Sequence, residues 1–78
     1  MVGGESMTLA EGEINHTYTV EQFRLPMEVE KRLEVLGMTR GTNIIVANKK
    51  GHGTEIVKIR GTRFAIGKGI TDNILVKE

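Results

Sequence analysis

The chain has 78 residues, no cysteine and a formal net charge of +1. This length suits one small domain near the lower limit for a single hydrophobic core, so the fold must be compact or be helped by a partner. The lack of cysteine excludes disulfides and thiolate metal sites, which fits a cytoplasmic location, and no apolar run approaches the roughly 20 residues of a membrane-spanning helix.

Two features distinguish parts of the chain, namely its first six residues and the opposite net charges of its two halves. Residues 1–6 are polar and glycine-rich, which is typical of a flexible leader, and we predict that the domain occupies residues 7–78. Residues 1–36 carry a net charge of −4 and residues 37–78 one of +5. A basic half can mark nucleic-acid binding, but no stacking platform is evident among so few aromatic residues, so no nucleic acid is expected as a partner.

The first predicted strand covers residues 14–20, because apolar and polar side chains alternate there. Its apolar face is formed by Ile14, His16, Tyr18 and Val20. We therefore interpret His16 as a packed side chain rather than as a metal ligand. Residues 21–24 are predicted to be a connection to the helix that follows.

A helix is predicted from about Pro26 to Leu36, since proline suits the first helical position. Its inward stripe comprises Met27, Val29, Leu33 and Leu36. The helix ends in a structural corner, which we define as Leu33, Leu36, Gly37 and Gly41. Gly37 suits the left-handed position just past a helix end, and Met38 would then fold back onto the last turn.

The second half of the chain predicts short strands separated by turns. The strands are 43–48, 55–60, 63–66 and 73–77, with a hairpin loop at 49–54 and a tight helical turn at 67–72. The residues predicted to face inward are Val57, Ile59, Phe64, Ile66, Ile74 and Val76. About five strands and one helix predict a mainly β protein, a small SH3-like barrel with its helix between the first and second strands. An OB-fold is the alternative, although its helix usually follows the third strand.

No catalytic or cofactor-binding pattern is present, and we predict a binding module rather than an enzyme. The one serine, Ser6, lies in the leader, so no serine or cysteine nucleophile stands beside a base. The Gly-x-Gly elements at 51–53 and 67–69 do not lead into long helices, so neither predicts a dinucleotide loop. His16 and His52 offer no metal-ligand spacing, and His52 is expected to be exposed in its hairpin loop.

Four short motifs together resemble the FeoA family of ferrous iron transport proteins. They are Gly12-Glu13, Arg32-Leu33-x-x-Leu36-Gly37-Met38, Gly41-Thr42 and Arg60-Gly61-Thr62-Arg63-Phe64-Ala65-Ile66. The resemblance covers about residues 7–77 and implies an SH3-like barrel in the cytoplasm. It also implies an accessory role with FeoB, the membrane ferrous-iron transporter that carries a cytoplasmic GTP-binding domain. A similar barrel occurs at the C-terminus of the iron-dependent repressors.

We predict the partner-binding residues Met38, Arg40, Arg63 and Lys68. Met38 and Arg40 would present an apolar and a charged side chain on the rigid corner, while Arg63 and Lys68 would steer an acidic partner. Met38 could equally be only the capping contact on Leu33. Two other functions stay open: a nucleic-acid-binding barrel that uses the basic half, and a direct ferrous-iron carrier that uses His16, His52 and carboxylates. Weak homo-oligomerisation also stays open.

Overall fold

The computed structural model describes residues 7–78, and the predicted flexible leader at residues 1–6 lies outside the described residues. The strands are β1 (Met7–Thr8), β2 (Thr17–Phe23), β3 (Asn43–Lys49), β4 (Glu55–Ile59), β5 (Thr62–Ile66) and β6 (Ile74–Lys77). The helices are α1 (Met27–Val35) and α2 (Lys68–Thr71), and short 3₁₀ turns occupy Leu9–Glu11 and Gly51–Gly53. The predicted helical turn at 67–72 is therefore confirmed, and β1 is a strand that the sequence did not predict.

All six strands form one antiparallel sheet in the order β1-β6-β2-β3-β4-β5. The last strand of the chain is thus inserted between the first two strands, and β1 and β5 lie at the two ends of the sheet. Helix α1 connects β2 to β3, which corresponds to the predicted position between the first two long strands.

The core is formed by one face of this curled sheet together with Leu9 of the first 3₁₀ turn, Leu33 of α1 and Met38 in the connection to β3. Its largest fully buried side chains are Tyr18, Leu9, Met38, Ile44, Ile59, Ile74, Val20, Val46, Val57 and Val76. The predicted inward positions in β4 and β6 are confirmed, as is Ile66 in β5, whereas Phe64 is only partly buried against the core. Period-two alternation therefore located most of the core correctly.

The first long strand begins and ends three residues later than predicted, at Thr17 and Phe23 rather than at 14 and 20. Ile14 is 43% exposed and His16 is also exposed, so the prediction that both face the core is wrong. The backbone explains the difference, because Asn15 has a φ of 72°, which an extended strand cannot accommodate. A bulge between Val20 and Gln22 then shifts the alternation and turns Phe23 inward.

Helix α1 is shorter and less buried than its sequence pattern predicted. It runs from Met27 to Val35, and Leu33 is its only buried side chain. Met27 is 69% exposed, so its predicted inward position is wrong, and Leu36 just after the helix is 36% exposed. The apolar stripe of this segment is consequently only partly covered by the rest of the described chain.

The structural corner is confirmed by its hydrogen bonds. Gly37 N–H donates to the Glu34 carbonyl and Met38 N–H donates to the Leu33 carbonyl, both at 2.9 Å. These two bonds with a φ of 100° at Gly37 form a Schellman cap, which satisfies the last carbonyls of α1. Gly41 follows with a φ of 87°, and its N–H donates to the Val20 carbonyl at 2.8 Å. The corner is therefore hydrogen-bonded to β2, and the chain continues from it into β3.

A third glycine, Gly12, is required for space rather than for backbone freedom. A Cβ at this position would lie 2.9 Å from Cε2 of Tyr18 and 3.1 Å from the carbonyl oxygen of Leu9. The next backbone N–H, that of Glu13, donates to the Tyr18 hydroxyl at 2.7 Å. The Gly12-Glu13 pair therefore positions the buried side chain of Tyr18.

Candidate functional site

The four residues predicted to bind a partner do not form one surface. Met38 is fully buried, so its predicted role as an exposed contact is wrong, and it serves the core and the helix cap instead. Arg40 is exposed on the turn at Thr39–Thr42, and Arg63 is exposed on β5. Lys68 lies at the start of α2, where its Nζ donates to Asp72 at 2.8 Å. Whether Arg40, Arg63 and Lys68 contact a partner stays a prediction.

The two histidines do not form a metal site within residues 7–78. His16 Nε2 lies 3.4 Å from the Glu13 carboxylate, and the His16 ring stacks on Tyr18 with a centroid distance of 6.4 Å. His52 is exposed in the hairpin loop, as predicted, with a φ of 65°. Over the described residues there is no group of three or more histidine, cysteine or acidic side chains that could hold a metal ion.

An apolar groove of about 420 Å³ separates the α1 segment from β5 and α2. One wall is formed by Leu25, Val29, Arg32, Leu33 and Leu36, and the other by Ala65, Ile66, Gly67, Gly69 and Ile70. Arg32 is the only charged side chain among these lining residues. This volume falls within the roughly 300–1,000 Å³ of typical ligand pockets. We call this feature the α1–β5 groove.

The fold creates the α1–β5 groove by leaving the apolar stripe of α1 without full cover. Leu33 is buried, but Val29 and Leu36, on either side of it, remain partly accessible at the groove. The opposite wall uses Gly67 and Gly69, whose missing side chains leave open space beside α2. The apolar stripe and the two glycines are visible in the sequence. The position of β5 and α2 opposite α1 is visible only in the structure.

A second cavity, of about 370 Å³, contains a buried acid that the sequence analysis did not single out. Glu55 is 2% exposed, and neither of its carboxylate oxygens has a hydrogen-bond partner among the described residues. Lys49 Nζ lies 3.7 Å from this carboxylate and donates instead to the Ala10 carbonyl at 3.1 Å. The signal was present in the sequence, because Glu55 alternates with the inward residues Val57 and Ile59.

Burial raises the pKa of Glu55 above its usual 4.5, and the neighbouring Lys49 opposes that rise only in part. Because the pKa is higher in the folded state, the folded protein is favoured at low pH and loses this stability as pH rises from 4.5 through the folded pKa. We therefore expect the unfolding free energy of the wild type, relative to a Glu55→Gln variant, to fall over this range, by about 1.4 kcal/mol for each pH unit of difference between the two pKa values.

Urea unfolding at a series of pH values measures this difference. The matched variant is Lys49→Met, which removes the cation that lowers the pKa of Glu55 and should therefore make the fall with pH larger. A difference between wild type and Glu55→Gln that does not change with pH would show that Glu55 is solvated in the folded protein.

A family model described as the FeoA domain matches residues 7–78. The chain belongs to the FeoA family. Among solved structures it is similar to an iron uptake regulatory protein (FeoA), with 27% identity, a TM-score of 0.81, and coverage of 94% of this chain and 96% of that one. It is also similar to a FeoA-like protein from Clostridium acetobutylicum, with 26% identity, a TM-score of 0.81, and coverage of 99% and 88%.

A more distant likeness concerns the fold alone. The apo form of the manganese-activated repressor ScaR matches at 19% identity with a TM-score of 0.81, over 92% of this chain but only 35% of the repressor. The search of curated proteins finds no match.

These findings confirm the predicted family and the predicted mainly β, SH3-like fold class of this FeoA protein. The helix lies between the first two long strands, which argues against the OB-fold alternative. Family membership associates the chain with ferrous iron transport. Over residues 7–78, the helices are too short or too polar to cross a membrane.

Proposed function

We propose that this FeoA protein is a cytoplasmic accessory protein of ferrous iron transport, which binds the cytoplasmic part of a FeoB-type transporter. It would act as a protein-interaction module and not as an enzyme. The observation that carries the proposal is the α1–β5 groove, because it is the apolar concave surface that the described residues leave uncovered. Family membership supplies the transport process in which the binding would occur.

The groove has the composition of a protein-binding surface. Its walls are aliphatic, and its single charged residue, Arg32, is of a type enriched at interfaces. Leu36 is 36% exposed at the wall, so a partner could cover it further and gain apolar burial. Leu33, three residues before Leu36, is buried. A buried side chain makes this wall rigid, which reduces the conformational entropy lost on binding.

Replacement of Leu36 by glutamate should weaken binding to the transporter's cytoplasmic domain by at least about tenfold, which corresponds to about 1.4 kcal/mol. The reason is that the variant places a carboxylate in the apolar wall of the groove. Isothermal titration calorimetry with the purified cytoplasmic domain measures the affinity, and circular dichroism checks the fold.

The matched control is Val35→Glu. Val35 is adjacent to Leu36 and is 86% exposed, but it is not among the residues that line the groove. Both variants add one negative charge near the end of α1, so the unfavourable interaction with the helix dipole is similar in the two. Equal weakening by both variants would remove the groove from the interface, and a wild-type protein that does not bind the domain would refute the proposed function.

A further inference from the structure

The edge of β5 is available to another strand. β5 is the last strand in the sheet order and pairs on one side with β4, while its other side has no partner strand among residues 7–78. Unpaired strand edges are templates for an added strand, and natural proteins usually protect them. This edge also forms part of a wall of the α1–β5 groove, through Ala65 and Ile66.

The hairpin between β4 and β5 determines which backbone groups face that edge. The hairpin turns at Arg60 and Gly61, whose φ angles are both positive at 52° and 86°, and the pair that closes it is Ile59 with Thr62. In a two-residue hairpin of this kind the closing pair is hydrogen-bonded, and bonded pairs then alternate along the ladder. The N–H and C=O groups of Arg63 and Ala65 therefore point away from β4, toward the free edge.

The solvent-facing side of this part of the sheet carries positive charge without a compensating acid. Lys58 of β4 and Arg63 of β5 are directly opposite each other, and neither forms an ion pair with a described residue. Like charges in this arrangement destabilise a sheet. The only acid in β3, β4 and β5 is Glu55, which is buried on the other side of the sheet. A carboxylate placed beside Arg63 would relieve the repulsion.

We propose that an extended segment of the protein partner adds to the edge of β5 as a further strand. The segment would alternate acidic and apolar residues. Its acidic side chains would lie on the side of Arg63 and Lys58, and its apolar side chains would enter the α1–β5 groove. The backbone groups of Arg63 and Ala65 would supply the hydrogen bonds, and the two cations would select the acids. This proposal rests on the proposed function, because it describes how the transporter's segment would occupy the groove.

Hydrogen exchange in the complex with the transporter's cytoplasmic domain tests strand addition directly. We expect the amide protons of Arg63 and Ala65 to exchange at least tenfold more slowly in the complex. A general ligand-induced stabilisation would instead slow amides across the whole sheet. If the domain binds but these two amides exchange as before, strand addition is overturned while the proposed function stands.

A peptide titration followed by NMR tests the chemistry of the segment independently of the transporter. The probes are an acetylated, amidated hexapeptide that alternates valine and glutamate, and a matched one that alternates valine and lysine. We expect only the glutamate peptide to shift and protect the amides of Arg63 and Ala65, with an affinity that weakens as salt is added. Protection by this peptide without any binding of the transporter's domain would support the edge site and refute the proposed function. Equal binding of both peptides would overturn the selection for acids.

An Arg63→Glu variant should bind the glutamate peptide at least tenfold more weakly, and it should fold because it places a carboxylate opposite Lys58. The matched control is Lys31→Glu, which makes the same change in net charge on an exposed residue of α1 and should bind normally. A thymidine oligonucleotide serves as a competing probe. If it binds the wild type and loses affinity in Arg63→Glu, while neither it nor the glutamate peptide protects the two amides, the face binds phosphates and the proposal is overturned.

Discussion

The Met38→Glu variant should lose a large part of its folding stability. Met38 has no exposed surface, so glutamate at this position would place an unpaired carboxylate in the core. An uncompensated buried charge costs about 3–5 kcal/mol, and a domain of 78 residues has a total stability of only about 4–12 kcal/mol at 0.05–0.15 kcal/mol per residue. A thermal scan followed by circular dichroism should therefore show a melting temperature far below that of the wild type, and no cooperative transition at all if the wild-type stability lies at the low end of this range.

The matched control is Arg40→Glu, two positions along the same turn. Arg40 is exposed, and its side chain makes no hydrogen bond or ion pair with a described residue, so its stability should change by no more than about 0.5 kcal/mol. A Met38→Glu protein that melted like the wild type would place this side chain on the surface and restore Met38 as a candidate contact. Met38→Ala is a milder test of the same packing and should cost about 2–5 kcal/mol.

The Gly37→Val variant should lower the unfolding free energy by about 1–3 kcal/mol. Gly37 has a φ of 100°, a backbone conformation that a β-branched residue adopts only under strain. The Cβ itself would fit, because it would lie 3.5 Å from Cγ2 of Ile59, which is an ordinary contact. Urea unfolding of wild type and variant measures the loss.

Gly67→Ala is the control for this second prediction. Gly67 has a φ of −74°, and a Cβ there would meet no atom within 4 Å, so alanine should change the stability by no more than about 0.5 kcal/mol. If Gly37→Val and Gly67→Ala unfold at the same urea concentration as the wild type, the helix does not end in the left-handed cap that the structure shows.

The sequence predicted the fold correctly where the structure depends on residues that are close together in the chain. The alternation of Val57 with Ile59 located the core face of β4, and Gly37 marked the end of α1, as its φ confirms. The prediction failed at the start of β2, where Asn15 leaves the extended conformation. It also failed beyond Val20, because a bulge interrupts the period on which the pattern depends.

The candidate site was less predictable, because it depends on residues that are distant in sequence. Leu36 and Ala65 line the same groove only because the sheet brings β5 beside α1. Met38 illustrates the ambiguity of a single position, since methionine after a glycine cap serves equally as a packing contact or as an exposed anchor. Arg63 was selected for its charge, and the structure adds that it faces Lys58 at an open edge.

The position of β6 in the sheet has a consequence for the order of folding. β6 pairs with both β1 and β2, so Val76 lies opposite Met7 on one side and opposite Val20 on the other. Neither early strand can complete its pairing until residues 74–77 have left the ribosome. During synthesis the apolar side of β2 is therefore only partly covered, because the core residues of β6 are still missing. The barrel closes afterwards, through contacts between residues that are distant in sequence, and such contacts slow folding.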